Sequence, residues 1–142
     1  MTQDIKQTYF FPNSVENVWE YLTNPELLEK WLMPTNFKPV LNHEFSFRTN
    51  PLPQFNCDGI FHCKVLEITP MKKLIYSWNA GSGDGTFNLK SVVEWTLIKK
   101  ESGTELQLIH RGFTGENLAI YTAMIDGWGK NIQKIINHLN NQ

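Results

Sequence analysis

Residues 18–32 read Val18-Trp19-Glu20-Tyr21-Leu22-Thr23-Asn24-Pro25-Glu26-Leu27-Leu28-Glu29-Lys30-Trp31-Leu32, and they constrain the fold more than any other stretch. Val15, Val18, Trp19 and Leu22 recur at helical spacing after Ser14, whose hydroxyl can accept from the free amides of a first helical turn. That helix must stop at Thr23-Asn24-Pro25, because the residue before a proline is pushed out of the α region. Pro25 suits the first position of a second helix capped by Asn24, with Leu27, Leu28, Trp31 and Leu32 on its apolar side. Two short helices therefore abut, and neither is long enough to cover a sheet.

Strands flank this pair. Ile5 to Phe11 is β-branched and aromatic and ends at Pro12, which has no amide proton for a central ladder. From Phe37 to Gly112 the apolar period falls to two, the period of a strand. Phe45 and Phe47 share one face between His43 and Arg48; Phe61, Cys63 and Val65 share one between Ile60 and Ile68, closed by Pro70. Leu74, Tyr76 and Trp78 alternate next, and Gly81, Gly83 and Gly85 supply backbone freedom for a reversal. Leu89, Ser91, Val93, Trp95 and Leu97 follow, then the turn Glu101-Ser102-Gly103 and the face Thr104, Leu106, Leu108, His110.

The remainder, from about Asn117 to Asn140, is predicted as one long helix with the apolar stripe Ile125, Trp128, Ile132, Ile135, Ile136 and Leu139. Gly127 and Gly129 each cost about 1 kcal/mol of helix propensity relative to alanine, which points to close packing beside Trp128. An antiparallel sheet with one solvated face must cover the other, and only this helix is long enough. A sheet gripping a single helix tends to leave a space between them, and that space is the candidate site.

Composition narrows the function. A chain of 142 residues fits a single domain spanning 1–142, with a core that needs no disulfide or metal. The formal net charge of −1 gives no basic excess for a nucleic-acid partner. No apolar run approaches the roughly 20 residues of a membrane span, and Met1 to Lys6 lacks the apolar core of a signal peptide, so a cytoplasmic protein is expected. Cys57 and Cys63 read as free thiols.

Taken together, Val18-Trp19, Thr23-Asn24-Pro25, Trp31, Val65-Leu66-Glu67-Ile68-Thr69-Pro70, Leu74 to Trp78, Gly103-Thr104-Glu105-Leu106, His110, Gly112-Phe113 and Gly127-Trp128 form a specific set. With them the chain resembles, over nearly its whole length, the START-like or SRPBCC helix-grip superfamily. Within it, the chain is similar to the C-terminal domain of the activator of the large heat-shock chaperone's ATPase. The resemblance implies an α+β helix-grip fold, in the order strand, two helices, six strands and a long helix, with a cavity for an apolar or amphipathic molecule. It carries no catalytic residue with it. Where such proteins often have a glycine pair before the second strand, this chain has Asn42-His43, residue types that tolerate left-handed backbone.

Candidate site residues follow from the inner faces. Phe45, Phe61, Tyr76, Trp78, Trp95, Leu108, His110, Met124 and Trp128 are expected to enclose a small hydrophobic or aromatic ligand, with Tyr76 or His110 setting its orientation. The same rings, drawn from 5 Trp and 9 Phe, could equally fill the space. His110 could serve as a general base or simply satisfy its nitrogens locally, with Glu94 and Asp126 the carboxylates in question. Arg48 and Ser91 are further polar groups that could converge on the cavity. His62 and Cys63 are adjacent on a strand, point to opposite faces, and cannot share an ion. No metal or cofactor motif, phosphate loop or nucleophile elbow occurs. The leading expectation is thus a ligand-binding protein. The alternatives are a chaperone-associated stress-response partner and a cyclase- or aromatase-like enzyme with His110 as base.

Overall fold

The computed structural model describes residues 3–141. Met1, Thr2 and Gln142, included in the expected 1–142 span, lie outside the described residues. The elements are β1 (Gln3–Phe11), α1 (Val15–Thr23), α2 (Pro25–Trp31), β2 (Glu44–Arg48), β3 (Ile60–Thr69), β4 (Lys73–Ala80), β5 (Leu89–Lys100), β6 (Gly103–Phe113) and α3 (Leu118–Asn140). One six-stranded sheet has the order β1-β6-β5-β4-β3-β2, antiparallel throughout. This is the α+β helix-grip architecture the sequence implies, with a correction to its strand count.

Five strands rather than six follow the short helices. The segment before β2 makes only an isolated bridge, Thr35 to Phe47, beside a bond from Arg48 N to Pro34 O. Pro34 and Pro39 interrupt it and lack the amide protons of a continuous ladder. Asn42 takes left-handed backbone at φ 69°, so the turn survives without glycine.

The helix joint is built as its residues dictate. Ser14 accepts from Asn17 N and opens α1. Asn24 serves both helices: its backbone N–H donates to Glu20 O at 2.9 Å, while its side chain accepts from Glu26 N at 3.0 Å, with Pro25 next. The indole of Trp31 donates to Tyr21 O at 2.7 Å, which clamps α2 against α1, and meets Trp95 edge-on at 6.0 Å. Tyr21 and Trp31 are both buried, so the bond replaces water that neither group can reach.

Alternation along β4, β5 and β6 puts Leu74, Tyr76 and Trp78, then Val93 and Trp95, then Leu106, Leu108 and His110 into the core. In β3 alternation puts Leu66 on the outer surface with His62 and Lys64, and a register slip between Val65 and Glu67 keeps Glu67 exposed beside it. α3 crosses the sheet: Trp128 meets Trp78 of β4, Trp95 of β5 and His110 of β6, while Gln7 of β1 donates to Ile125 O. Its buried stripe is Ile120, Trp128, Ile132, Ile135 and Leu139. Ile125, assigned to this stripe by spacing, is 41% exposed: it lies at the edge of the stripe, about 20° beyond Ile132, and its carbonyl accepts from Gln7 of β1.

Close packing at the two α3 glycines is also corrected. A methyl group at Gly127 would meet nothing within 4 Å, and at Gly129 only the Tyr9 hydroxyl at 3.7 Å.

Replacing Asn24 with alanine removes the cap of α2 and should lower unfolding stability by about 1 kcal/mol. Urea denaturation followed by far-UV circular dichroism measures this, and an unchanged midpoint would contradict the capping role.

Candidate functional site

Two regions share the inner face. The first is a polar chain buried among rings. Trp128 Nε1 donates to His110 Nδ1 at 3.1 Å. Nδ1 is therefore the unprotonated nitrogen of a neutral ring, so Nε2 carries the proton and donates to Ser91 Oγ at 2.8 Å. Ser91 Oγ in turn donates to Trp78 O at 2.5 Å. His110 is fully buried, with Phe113, Trp78 and Trp128 around it.

Burial with no charged neighbour pushes the His110 imidazole down to about 3. Both ring nitrogens are engaged inside the core, so His110 neither orients a ligand nor takes a proton from one. Ser91 receives a hydrogen bond from the ring rather than giving one to it, the reverse of an activated serine. Glu94 pairs with Arg111 at 3.1 Å, and Asp126 pairs with Lys130 at 2.8 Å on the helix surface, so neither orients the imidazole. Arg48 is exposed and bonded to Ser46 rather than aimed inward.

Tyr76, the other expected orienting group, accepts from Trp95 Nε1 at 2.9 Å amid Phe37, Phe45 and Phe47. Desolvation raises its phenol well above the ordinary range. Cys63 is buried, which pushes its thiol up and leaves no thiolate nucleophile. Phe45, Tyr76, Trp95, Leu108 and His110 are thus buried in the core and lie outside the wall of the cavity described next. Their rings fill the space that the alternation pattern left open to either use.

The second region is a cavity of about 180 Å³. Of the expected site residues, Phe61 of β3, Trp78 of β4, and Met124 and Trp128 of α3 come together in its wall. The sequence reading missed Leu32 and Met33 at the end of α2, Leu52 and Phe55 of the 49–57 loop, and Ile120, Ala123, Gly127 and Asn131 of α3. The loop carried a signal: Leu52 and Phe55 are apolar residues punctuated by Pro51 and Pro53, a pattern with no use unless they cover something. On α3, positions 120, 124, 127 and 131 recur at helical steps, a second face beside the core stripe.

No wall residue is charged, and Asn131 carries the one polar amide. The indole N–H of Trp78, a wall residue, is itself enclosed by protein and does not open on the cavity. Trp31, Trp95 and Trp128, equally buried, each donate to an acceptor, whereas Trp78 Nε1 is buried without one. Such a donor costs about 1–3 kcal/mol.

The buried imidazole fixes a pH dependence. In the unfolded chain His110 binds a proton below about pH 6.5; in the fold it stays neutral until about pH 3. The unfolded state therefore binds more protons across that window, and stability contributed above it is lost as pH falls. Between pH 7.5 and 5.0 the unfolding free energy should drop by about 2 kcal/mol on this account. Urea titrations at the two pH values measure it, and the drop should shrink in His110→Gln; an equal drop in that variant would contradict the assignment.

Comparison with known proteins fits this architecture. Protein MLL2253 from Mesorhizobium loti is 31% identical, with a TM-score of 0.88 over 99% of this chain and 98% of its own. BH1534 from Bacillus halodurans shares the fold at 23% identity and a TM-score of 0.75, over 96% of this chain and 98% of its own. DynU16, a protein of the dynemicin biosynthetic locus, shares it at 18% identity and a TM-score of 0.76, over 96% of this chain and 47% of its own. No curated protein matches the chain. The family model described as Activator of Hsp90 ATPase homolog 1-like protein matches residues 12–140, nearly all of the sequence, and the chain belongs to that family.

Proposed function

We propose that this protein binds a small apolar molecule in the cavity between the sheet and α3. The observation that carries this reading is the charge-free wall, in which Phe61, Trp78, Met124 and Trp128 meet Met33, Leu52 and Phe55 from outside the sheet. Removing an apolar ligand from water contributes about 25 cal/mol per Å² buried, and no charged group in the wall must be desolvated to admit it. The place of DynU16 in a biosynthetic locus is in keeping with a small-molecule ligand. The acid–base route that a cyclase or aromatase would need has no support from His110, whose nitrogens are both committed to the core.

Thermal melting against a library of alkyl, aromatic and polycyclic compounds tests the reading. A compound at a hundred times its dissociation constant should add about 2.7 kcal/mol to the native state. If no compound shifts the transition, the reading is wrong.

A second reading, association with a heat-shock chaperone, is supported by the family and by one surface. Val40 and Leu41 are exposed, and their loop is tied to β3 by bonds between Asn42 N and Val65 O and between Val65 N and His43 O. Leu66 is exposed on that strand. Trp31, around which a patch would also have favoured this reading, is fully buried. The chain should then raise ATP hydrolysis by the large heat-shock chaperone, and changing Val40, Leu41 and Leu66 to serine should abolish the effect; an unaltered rate with the unmodified chain excludes it.

A further inference from the structure

We infer that the molecule taken by this cavity is amphipathic: its apolar body lies on Phe61, Trp78 and Trp128, and one uncharged group that both donates and accepts hydrogen bonds, an amide being the closest match, meets the carboxamide of Asn131. This rests on the reading of the cavity as a ligand site and narrows it.

The wall is graded. Phe61, Trp78 and Trp128 are buried and make its floor, whereas Met33, Phe55, Met124 and Asn131 are half-buried and belong to a rim open to solvent. A cavity open on one side sets no limit on the length of a ligand, but it sorts the ligand's surface. Whatever lies on the floor leaves water and gains by being apolar; whatever lies at the rim keeps water within reach and tolerates polarity.

Asn131 is the rim residue with a polar side chain able to donate and accept. It follows Trp128 by about one turn of α3, and helical side chains lean toward the N-terminus, so its carboxamide covers the turn that carries Trp128. No other described residue hydrogen-bonds to that carboxamide, whereas those of half-buried Asn24 and Asn79 and buried Asn117 are all bonded within the fold. Asn13, whose Oδ1 is also without a partner, does not border the cavity. A carboxamide at a rim is satisfied by water without cost to the fold, and a ligand amide replaces that water bond for bond, one N–H given and one taken.

The head group is uncharged because nothing in the wall would balance a charge. The wall holds no Lys, Arg, His, Asp or Glu; Lys134 lies outside it, and Lys130, beside Asn131 in sequence, is paired with Asp126 at 2.8 Å.

Isothermal titration calorimetry with two matched pairs tests the inference: octanamide against heptyl methyl ketone, and benzamide against acetophenone. Within each pair the body is shared and the ketone lacks the N–H that Asn131 would accept. Octanoate supplies a charge on the same chain. The ratio of amide to ketone affinity should fall at least about fivefold in Asn131→Leu, the worth of one net hydrogen bond, while the urea midpoint of that isosteric variant is no lower. A ratio that Asn131→Leu leaves unchanged, or octanoate binding more tightly than octanamide, overturns the inference and leaves a ligand site. Absence of binding by every probe also overturns it, and together with a flat melting screen overturns the ligand reading as well.

Discussion

Everything in the inner face depends on one buried hydrogen-bond chain, from the Trp128 indole through His110 and Ser91 to the carbonyl of Trp78. It links α3 to β6, β5 and β4 in turn, and so fixes the helix against the strands that apolar contact alone would let slide. Each member has polar atoms that would be costly to bury unmatched. The neutral imidazole accepts on one edge and donates on the other, and with these partners it does so in only one tautomer. That requirement keeps the ring uncharged, and the same requirement removes it from chemistry.

The division of the aromatic residues follows from where this chain runs. On the side of β2, Phe37, Phe45 and Phe47 close over Tyr76, with Phe37 and Phe45 edge-on at 4.9 Å, so the layer is filled. Toward the other end of β4, the sheet at Phe61 and Trp78 is met by α3 at a face bearing Ala123, Met124 and Gly127, whose side chains are small or flexible. Rings of similar size thus do opposite things: opposite large partners they interlock, and opposite small ones they leave a space.

How much of this could be read from residues alone depended on whether a neighbour in sequence or a neighbour in space decided the outcome. The joint at Asn24-Pro25 was legible because capping and the proline constraint act within four residues. Strand alternation was legible for the same reason, and it placed Phe61 and Trp78 correctly on the inner face, as the helical spacing placed Trp128. Ile125 and the sixth expected strand failed where position around the helix or a proline overrode pattern. The fate of Tyr76 and His110 was not legible, since their partners Trp95, Ser91 and Trp128 lie 18 or 19 residues away, and nothing local says that a polar ring will find an indole or a hydroxyl. Gly127 was visible as an anomaly, but the pattern could not say whether its missing side chain admits a neighbour or leaves a gap.

The cavity wall carries local costs that most of the core avoids, with Asn13 Oδ1, buried without a partner, and Gly129, mid-helix without close packing, the exceptions elsewhere. Elsewhere the large buried groups are matched: Trp31, Trp95 and Trp128 donate, Ser91 and His110 are linked, and Asn117 donates to Asn88 O. Around the cavity an indole N–H goes unmatched and a helix carries a glycine with nothing against it. Sequences that satisfy their local rules throughout tend to break them where something other than stability is being served. A void lined by rings also forfeits contact energy on one side of every ring. Simple changes such as Gly127→Ala would relieve part of this without strain, because the space for a methyl is already there. Such costs beside an uncharged apolar wall, next to a core that links His110 and Ser91 and matches the indoles of Trp31, Trp95 and Trp128, mark the wall as a part of the molecule where stability was not the only requirement.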